Sequence, residues 1–252
     1  MSHATSQPIA GSNHLYPTSD GRPMAETDHH RKLLNQLVET LDDWYSEEPD
    51  TYVSGNLLLF YEKGNKRRHI SPDVFVSFSV PKYDRLNYLT WEEGKSPDVV
   101  IELTSKTTRS EDVKKKFLLY QNVLKVKEYF LFDPYEDYLT PSMQGFRLTA
   151  GEYRSIRLRD DRLPSKVLGL HLERSAMVLR LWNPETDSWL PTSEEQIVDQ
   201  RHEIEAAEET AKRERENAAR EREKATALEQ EVARLRQLLD KRNAEHKNGT
   251  TG

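Results

Sequence analysis

Cysteine is absent from all 252 residues, which excludes thiolate metal sites, cysteine nucleophiles, disulfide frameworks and iron–sulfur ligation together. The fold must stand on packing. No apolar run approaches the roughly 18 residues that a bilayer span needs, and the first residues lack the basic stretch and apolar core of a signal peptide. A soluble, cytoplasmic protein with no membrane partner is therefore expected. Nor is there an excess of positive charge: 37 basic against 43 acidic residues leave a net charge of −6, so a polyanion would have to be gripped by a local patch. Hydrophobic residues are only 35% of the chain and mean hydropathy is −0.85, so part of the length is too polar to join a core.

That part can be located. From Glu194 to Lys247 the chain carries 12 basic and 15 acidic residues in 54, with no glycine or proline to interrupt a helix. Every seventh residue from Ile197 gives Ile197, Ile204, Ala211, Ala218, Ala225, Val232 and Leu239, and the paired positions include Ala207, Glu214, Glu221, Leu228 and Leu235. Only the Leu228 to Leu239 end makes a good apolar seam. A self-associating coiled coil and a long solvated helix with intrahelical ion pairs are the two readings. At the other end, residues 1 to about 23 mix Ser, Pro, Gly and His without apolar periodicity and read as a disordered leader. His3, His14, His29, His30 and His69 close no zinc site by spacing, and a solvated surface position is expected for each.

Between these ends the patterning is that of a mixed α/β core. Leu33, Leu34, Leu37, Val38, Leu41, Trp44 and Tyr45 recur at helical spacing, with Thr27 or Asp28 placed to cap the start. Val53 to Tyr61 and Val74 to Phe78 are β-prone and flank a Lys63-Gly64-Asn65 turn, which predicts a hairpin. Pro81 to Gly94 has no period and reads as a loop. Val99 to Leu103 is a strongly apolar strand, Thr108 to Glu111 has the form of a capping box, and Val113, Phe117, Tyr120 and Leu124 continue at helical spacing. Glu128 to Phe132 is a further buried strand, so strand, helix and strand predict a right-handed parallel crossover. Short segments around 145–150, 152–158 and 177–182 add antiparallel strands.

The chemistry-bearing residues follow this order. Pro72-Asp73 heads one strand, Glu102 stands near the end of another, and the next helix bears Asp112, Lys114, Lys115 and Lys116. Two carboxylates at one sheet end could hold magnesium, which takes one or two protein carboxylates together with waters and phosphate oxygens. Such an ion would lower the pKa of water and neutralise charge at a phosphoryl centre, and a lysine could orient that water. Asp73 could equally be a turn residue after Pro72. Glu102 interrupts the buried run VVIEL, where an unpartnered carboxylate would be costly. Lys116 adjoins Phe117 and shares a face with Asp112 and Tyr120, so it borders the buried side, whereas Lys114 and Lys115 point toward water. Lys106, four residues after Glu102, is a second lysine candidate. Lys63, Lys66, Arg67 and Arg68 form a basic cluster ahead of the Asp73 strand that could grip backbone phosphates, or simply be a solvated hairpin tip.

The run SPDVFVSF followed by PDVVIELTSKTTRSEDVKKKFLLYQNVLKVKEYFLFDP resembles the Uma family of restriction-type endonucleases, within the PD-(D/E)XK nuclease superfamily. The matching residues are Pro72, Asp73, Glu102, Ser105, Thr107, Thr108, Asp112, Lys116, Tyr120, Glu128, Tyr129, Asp133 and Pro134, and Ser165 to Leu170 resembles the family's closing segment. The resemblance implies a metal-dependent phosphodiesterase acting on DNA, with Asp73 and Glu102 as ligands of Mg2+ (Mn2+ as substitute) and Lys116 as a catalytic lysine migrated onto the helix. On the reading of the residues themselves, Asp112, Lys106 and Tyr120 could support them, and Lys66, Arg67 and Arg68 could bind phosphate. Three positions depart from the pattern: Thr104 where the simplest form has lysine, Lys125 for a glycine, and Phe130 for tryptophan. The expected fold is α/β (α+β), a restriction-endonuclease-like core of a mixed central sheet flanked by helices, with a long C-terminal helix or coiled coil. Residues 1–23 are read as leader, 24–192 as the nuclease-like domain, 193–247 as the charged helix and 248–252 as a disordered tail. A homodimer through the core or the coiled coil is expected. The rival reading is a catalytically idle nuclease-like module for binding or assembly.

Overall fold

The structure, a computed structural model, describes residues 15–19, 27–104 and 111–248, without the side chains of 111–113 and 240–248. The expected leader lies largely outside the described residues, as do most of the 248–252 tail, the capping box before Glu111, and the motif residues Ser105, Lys106, Thr107 and Thr108. Contacts divide the chain into two compact units, Met1–Ser193 and Glu194–Gly252.

The first unit is built on a six-stranded sheet of order β1-β4-β6-β7-β8-β9. Its strands are β1 (Thr51–Ser54), β4 (Val74–Phe78), β6 (Val99–Leu103), β7 (Glu128–Phe132), β8 (Met143–Thr149) and β9 (Glu152–Ser155). Only β6 and β7 run parallel; the other neighbours are antiparallel. Helix α1 (Asp28–Trp44), capped by the Thr27 side chain accepting from His30 N–H, buries Leu33, Leu34, Leu37 and Leu41. These pack with Val74, Val76, Val99, Ile101 and Leu103. The alternate residues Phe75, Val100, Tyr129 and Leu131 join Tyr120 and Leu124 in a second cluster. Side chains alternate along a strand, so burial on both faces explains why VVIEL reads as an unbroken apolar run. Glu102 shares the Val100 side, toward the helix of the crossover.

That helix, α2, covers residues 111–124. It is wound as π-helix over Glu111–Lys116 and Tyr120–Leu124 around one α turn, Phe117–Leu119. It ends on Lys125 in the left-handed region at φ 53°, where a glycine would carry no Cβ penalty.

Three expectations need correction. The long hairpin is interrupted. Although β1 does pair with β4, the chain leaves the main sheet after Gly55 and Asn56, the latter at φ 50°. It forms a small sheet of β2 (Leu59–Phe60) and β3 (His69–Ile70), to which β5 (Tyr88–Leu89) adds in parallel. Pro81 to Gly94 is thus not wholly loop. Trp44 is exposed instead of buried, because Tyr45 takes the inward place and donates its hydroxyl to Leu168 O at 2.9 Å. The later segments form the expected antiparallel strands and add a four-stranded sheet of β10 (Arg162–Pro164), β11 (His171–Ser175), β12 (Val178–Asn183) and β13 (Ser188–Trp189). Its Leu163, Leu172, Leu179 and Leu181 close the α1 core.

Several buried acids hold this architecture together. Glu128, fully buried, accepts from Arg147 Nε at 2.6 Å, from the Ser165 hydroxyl and from the Lys166 and Val167 amides. Asp133 accepts the amides of Tyr135, Tyr138 and Leu139 and so closes the turn after β7.

The second unit is formed by α3 (Ser193–Asn248) from Glu194 onward, a helix about 84 Å long at 1.5 Å per residue. Its described hydrophobic side chains, Ile197, Ile204, Leu228, Val232, Leu235 and Leu239 among them, are exposed. No helix among the described residues is long and apolar enough to cross a membrane.

Asp98, at the start of β6, accepts from Phe78 N–H at 2.8 Å and from the ammonium groups of Lys95 at 2.5 Å and Lys127 at 2.8 Å. Burial pushes its carboxyl up, but these donors more than offset that and hold it below the usual carboxylate range. A depressed folded pKa stabilises the protein above the unfolded value, and that contribution is lost as pH falls through the folded value. Asp98→Asn is expected to cost about 1–3 kcal/mol at neutral pH in urea unfolding, with the gap to the parent closing below about pH 4.

Candidate functional site

Pro72-Asp73 lies where β4 begins, and Asn56 N–H donates to Pro72 O at 3.0 Å. Gly55 permits this approach, since a Cβ there would collide with the backbone oxygen of Asp73 and with Val38. The antiparallel register pairs Val74 with Ile101, so one residue further Asp73 stands opposite Glu102. Leu103 N–H donates to Asp73 Oδ2 at 2.7 Å, which fixes the carboxylate across the strand end.

Glu102 is fully buried. Its Oε2 accepts from Lys116 Nζ at 2.7 Å and its Oε1 from the Tyr120 hydroxyl at 2.6 Å. The two donors come from the first π turn of α2 and the start of the second. Burial, with Glu102 beside it, pushes the Tyr120 phenol well above its ordinary range, so it remains a protonated donor. Burial also pushes Asp73 up. His30, the Lys116 charge and the Leu103 amide outweigh it, and the carboxyl lies below its usual range.

His30 is the residue that sequence reasoning misses. Expected on solvated surface, its side chain is only 12% exposed and its Nε2 lies 3.7 Å from Asp73 Oδ1. The signal is present in the sequence. His30 stands three and four residues before Leu33 and Leu34 and continues the buried stripe of α1, but its exposed-looking neighbour His29 masks it.

A cavity of about 630 Å³ opens beside Lys116, lined by Arg67, Arg68, His69 and Lys115 together with Tyr61 and Ser71. Arg67 and Arg68 thus share a cavity wall with Lys116. Lys66 does not line it; its carbonyl accepts from His69 Nδ1–H at 2.9 Å. Arg68 also reaches Glu62 at 3.4 Å. Lys106 and the side chain of Asp112 lie outside the described residues. Thr104, where the superfamily's simplest form has lysine, is buried, and its amide donates to Phe132 O at 2.7 Å.

The second Pro-Asp pair, Pro97-Asp98, begins β6 as Pro72-Asp73 begins β4. Because β4 and β6 are antiparallel, the two aspartates sit at opposite sheet ends, and only Asp73 faces Glu102. Among the described residues no three His, Asp or Glu side chains are grouped to hold a metal by themselves. A pair of carboxylates is a donor set suited to a hard cation that keeps several waters, and the chemistry of the pair therefore fits magnesium.

A family model described as "Uma2: Putative restriction endonuclease" matches residues 10–177. No curated protein matches the chain. Among solved structures, a crystal structure titled "a putative nuclease belonging to DUF820" from Anabaena variabilis aligns at 19% identity with a TM-score of 0.45, over 60% of this chain and 80% of that one.

Lys116→Met would leave the Glu102 carboxylate buried without its ammonium partner, a change that typically costs about 3–5 kcal/mol. Tyr120→Phe removes one hydrogen bond and should cost about 1–3 kcal/mol. Chemical denaturation of both variants checks the order; a Lys116→Met protein as stable as its parent would mean that the pair does not carry the site.

Proposed function

The chain belongs to the Uma2 family, and from that premise we propose that it is a metal-dependent endonuclease that hydrolyses DNA phosphodiester bonds. The observation that carries the reading is the convergence of Asp73 and Glu102 across the β4–β6 register, with Lys116 on Glu102. Asp73 and Glu102 would hold the ion. Bound there, magnesium or manganese would supply the charge that acidifies water and offsets the negative phosphoryl oxygens.

The remaining work belongs to the chain's own groups. Asp73 is held below its usual range by His30, Lys116 and the Leu103 amide, so this carboxylate would meet a cation already charged. Tyr120 fixes the rotamer of Glu102 as a permanent donor. Lys116 would limit the repulsion between two facing carboxylates, and its ammonium would orient a water or a phosphate oxygen. Arg67, Arg68 and Lys115 line the neighbouring cavity and would grip phosphates flanking the scissile one, with Lys66 in support from the same turn.

One observation favours the second reading, a nuclease-like module without turnover: both oxygens of Glu102 already accept hydrogen bonds from the chain. Activity separates the two. The protein should nick or cut plasmid DNA with magnesium or manganese, stop on chelation, and lose about a thousandfold or more of its rate in Asp73→Ala or Glu102→Ala with circular dichroism unchanged. Equal cleavage by both variants sinks the assignment, and manganese binding at the pair without cleavage selects the idle module.

The cavity makes a separate demand. Arg67→Ala with Lys115→Ala should weaken DNA binding alike for unrelated sequences and lower the salt slope of affinity by about one for each phosphate no longer gripped. A slope identical to the parent's would remove this surface from the interface.

A further inference from the structure

The apolar stripe at the far end of α3 faces solvent: among the described residues Leu228, Val232, Leu235 and Leu239 are 67%, 43%, 55% and 56% exposed. With Ala225 they occupy alternating inner positions of two successive heptads, Ala225, Val232 and Leu239 at one and Leu228 and Leu235 at the other. A β-branched residue at the first position with leucine at the second favours two strands. Each strand of such a pair would flank its seam with Lys224, Glu229, Glu231 and Arg236.

The charges decide the orientation. In a parallel, in-register pair, the residue just before one seam position lies against the residue five further along in the partner helix. This sets Lys224 against Glu229 of a second copy and Glu231 against Arg236, so every flanking pair in the symmetric assembly is of opposite charge. Earlier in the helix the same rule sets Asn217 against Arg222, Thr210 against Arg215 and Glu203 against Glu208, which is neutral and then repulsive. Charge complementarity is therefore confined to the two heptads where the apolar seam is. An antiparallel pair that stacks Leu228, Val232, Leu235 and Leu239 mates Glu229 with Arg236 but sets Glu231 against Leu238, and its opposite charge for Lys224 is Glu245, beyond the apolar seam. Within one chain Glu231 reaches Arg234 at 3.8 Å, an exposed pairing that costs little to exchange.

We propose that residues 224–239 are a homodimerisation stalk, a parallel and in-register two-stranded coiled coil formed with a second copy of this chain. The proposal stands apart from the nuclease reading. It is tested on the full-length protein, whose lack of cysteine makes an introduced thiol unambiguous. Light scattering should give twice the 29.4 kDa chain mass at micromolar concentration. Ala225→Cys should form an interchain disulfide under mild oxidation, because a parallel register puts the two thiols side by side. The antiparallel alternative separates them by about 25 Å. Lys224→Glu should raise the dissociation constant about tenfold by turning two attractive pairings repulsive, and adding Glu229→Lys should restore it. A monomeric mass at about 100 µM, a dimer whose Ala225→Cys thiols stay reduced, or a dimer indifferent to Lys224→Glu would each overturn the proposal. The last would place self-association elsewhere in the chain.

Discussion

A carboxylate with no exposure to solvent survives in a folded protein only if donors replace its water, and Glu102 is the residue on which this chain's architecture turns. Its position on β6 is one that a purely structural sheet would fill with valine or isoleucine. Keeping an acid there obliges α2 to bring an ammonium and a phenol to the same point, while Asp73 opposite it is held by the Leu103 backbone amide. The π winding at both ends of α2 accompanies this demand, as wide turns often do where a helix serves a site and not only a core.

The chain separates its buried acids by the partners each receives. Asp98 meets two lysines and an amide, Glu128 meets Arg147 and the 165–167 turn, and Asp133 meets the amides of the loop that follows it. Each of these sets ties one segment of chain to another. Asp73 and Glu102 differ because they face each other across neighbouring strands at one sheet end. Several residues that carry the family resemblance thus belong to construction: Glu128 anchors the Ser165 segment.

Much of this is legible in the sequence. The strands Val99–Leu103 and Glu128–Phe132 can be read to the residue, because continuous apolar runs bounded by Pro-Asp and Asp-Pro leave little choice. The parallel pairing follows from the helix between them. The burial of VVIEL demands a partner for Glu102, and helical spacing singles out Lys116 and Tyr120 on the inward side of α2. What escapes are features with no periodicity. The β2–β3–β5 sheet is made of two-residue strands, too short for alternation to register, and the break at Gly55 is dictated by a tertiary approach. His30 escapes for the opposite reason: it obeys the helical stripe, but its residue type invites a metal-ligand question and hides its place on a buried face.

Gly55 shows how far a reactive centre can extend beyond residues that have any reactivity. Its missing side chain is the space in which the peptide oxygen of Asp73 and the Val38 methyl group rest. A single added methyl there would pry the first helix from the strand edge and tilt the aspartate with it. The tolerance of this molecule to mutation is consequently set, at that spot, by an atom it does not possess.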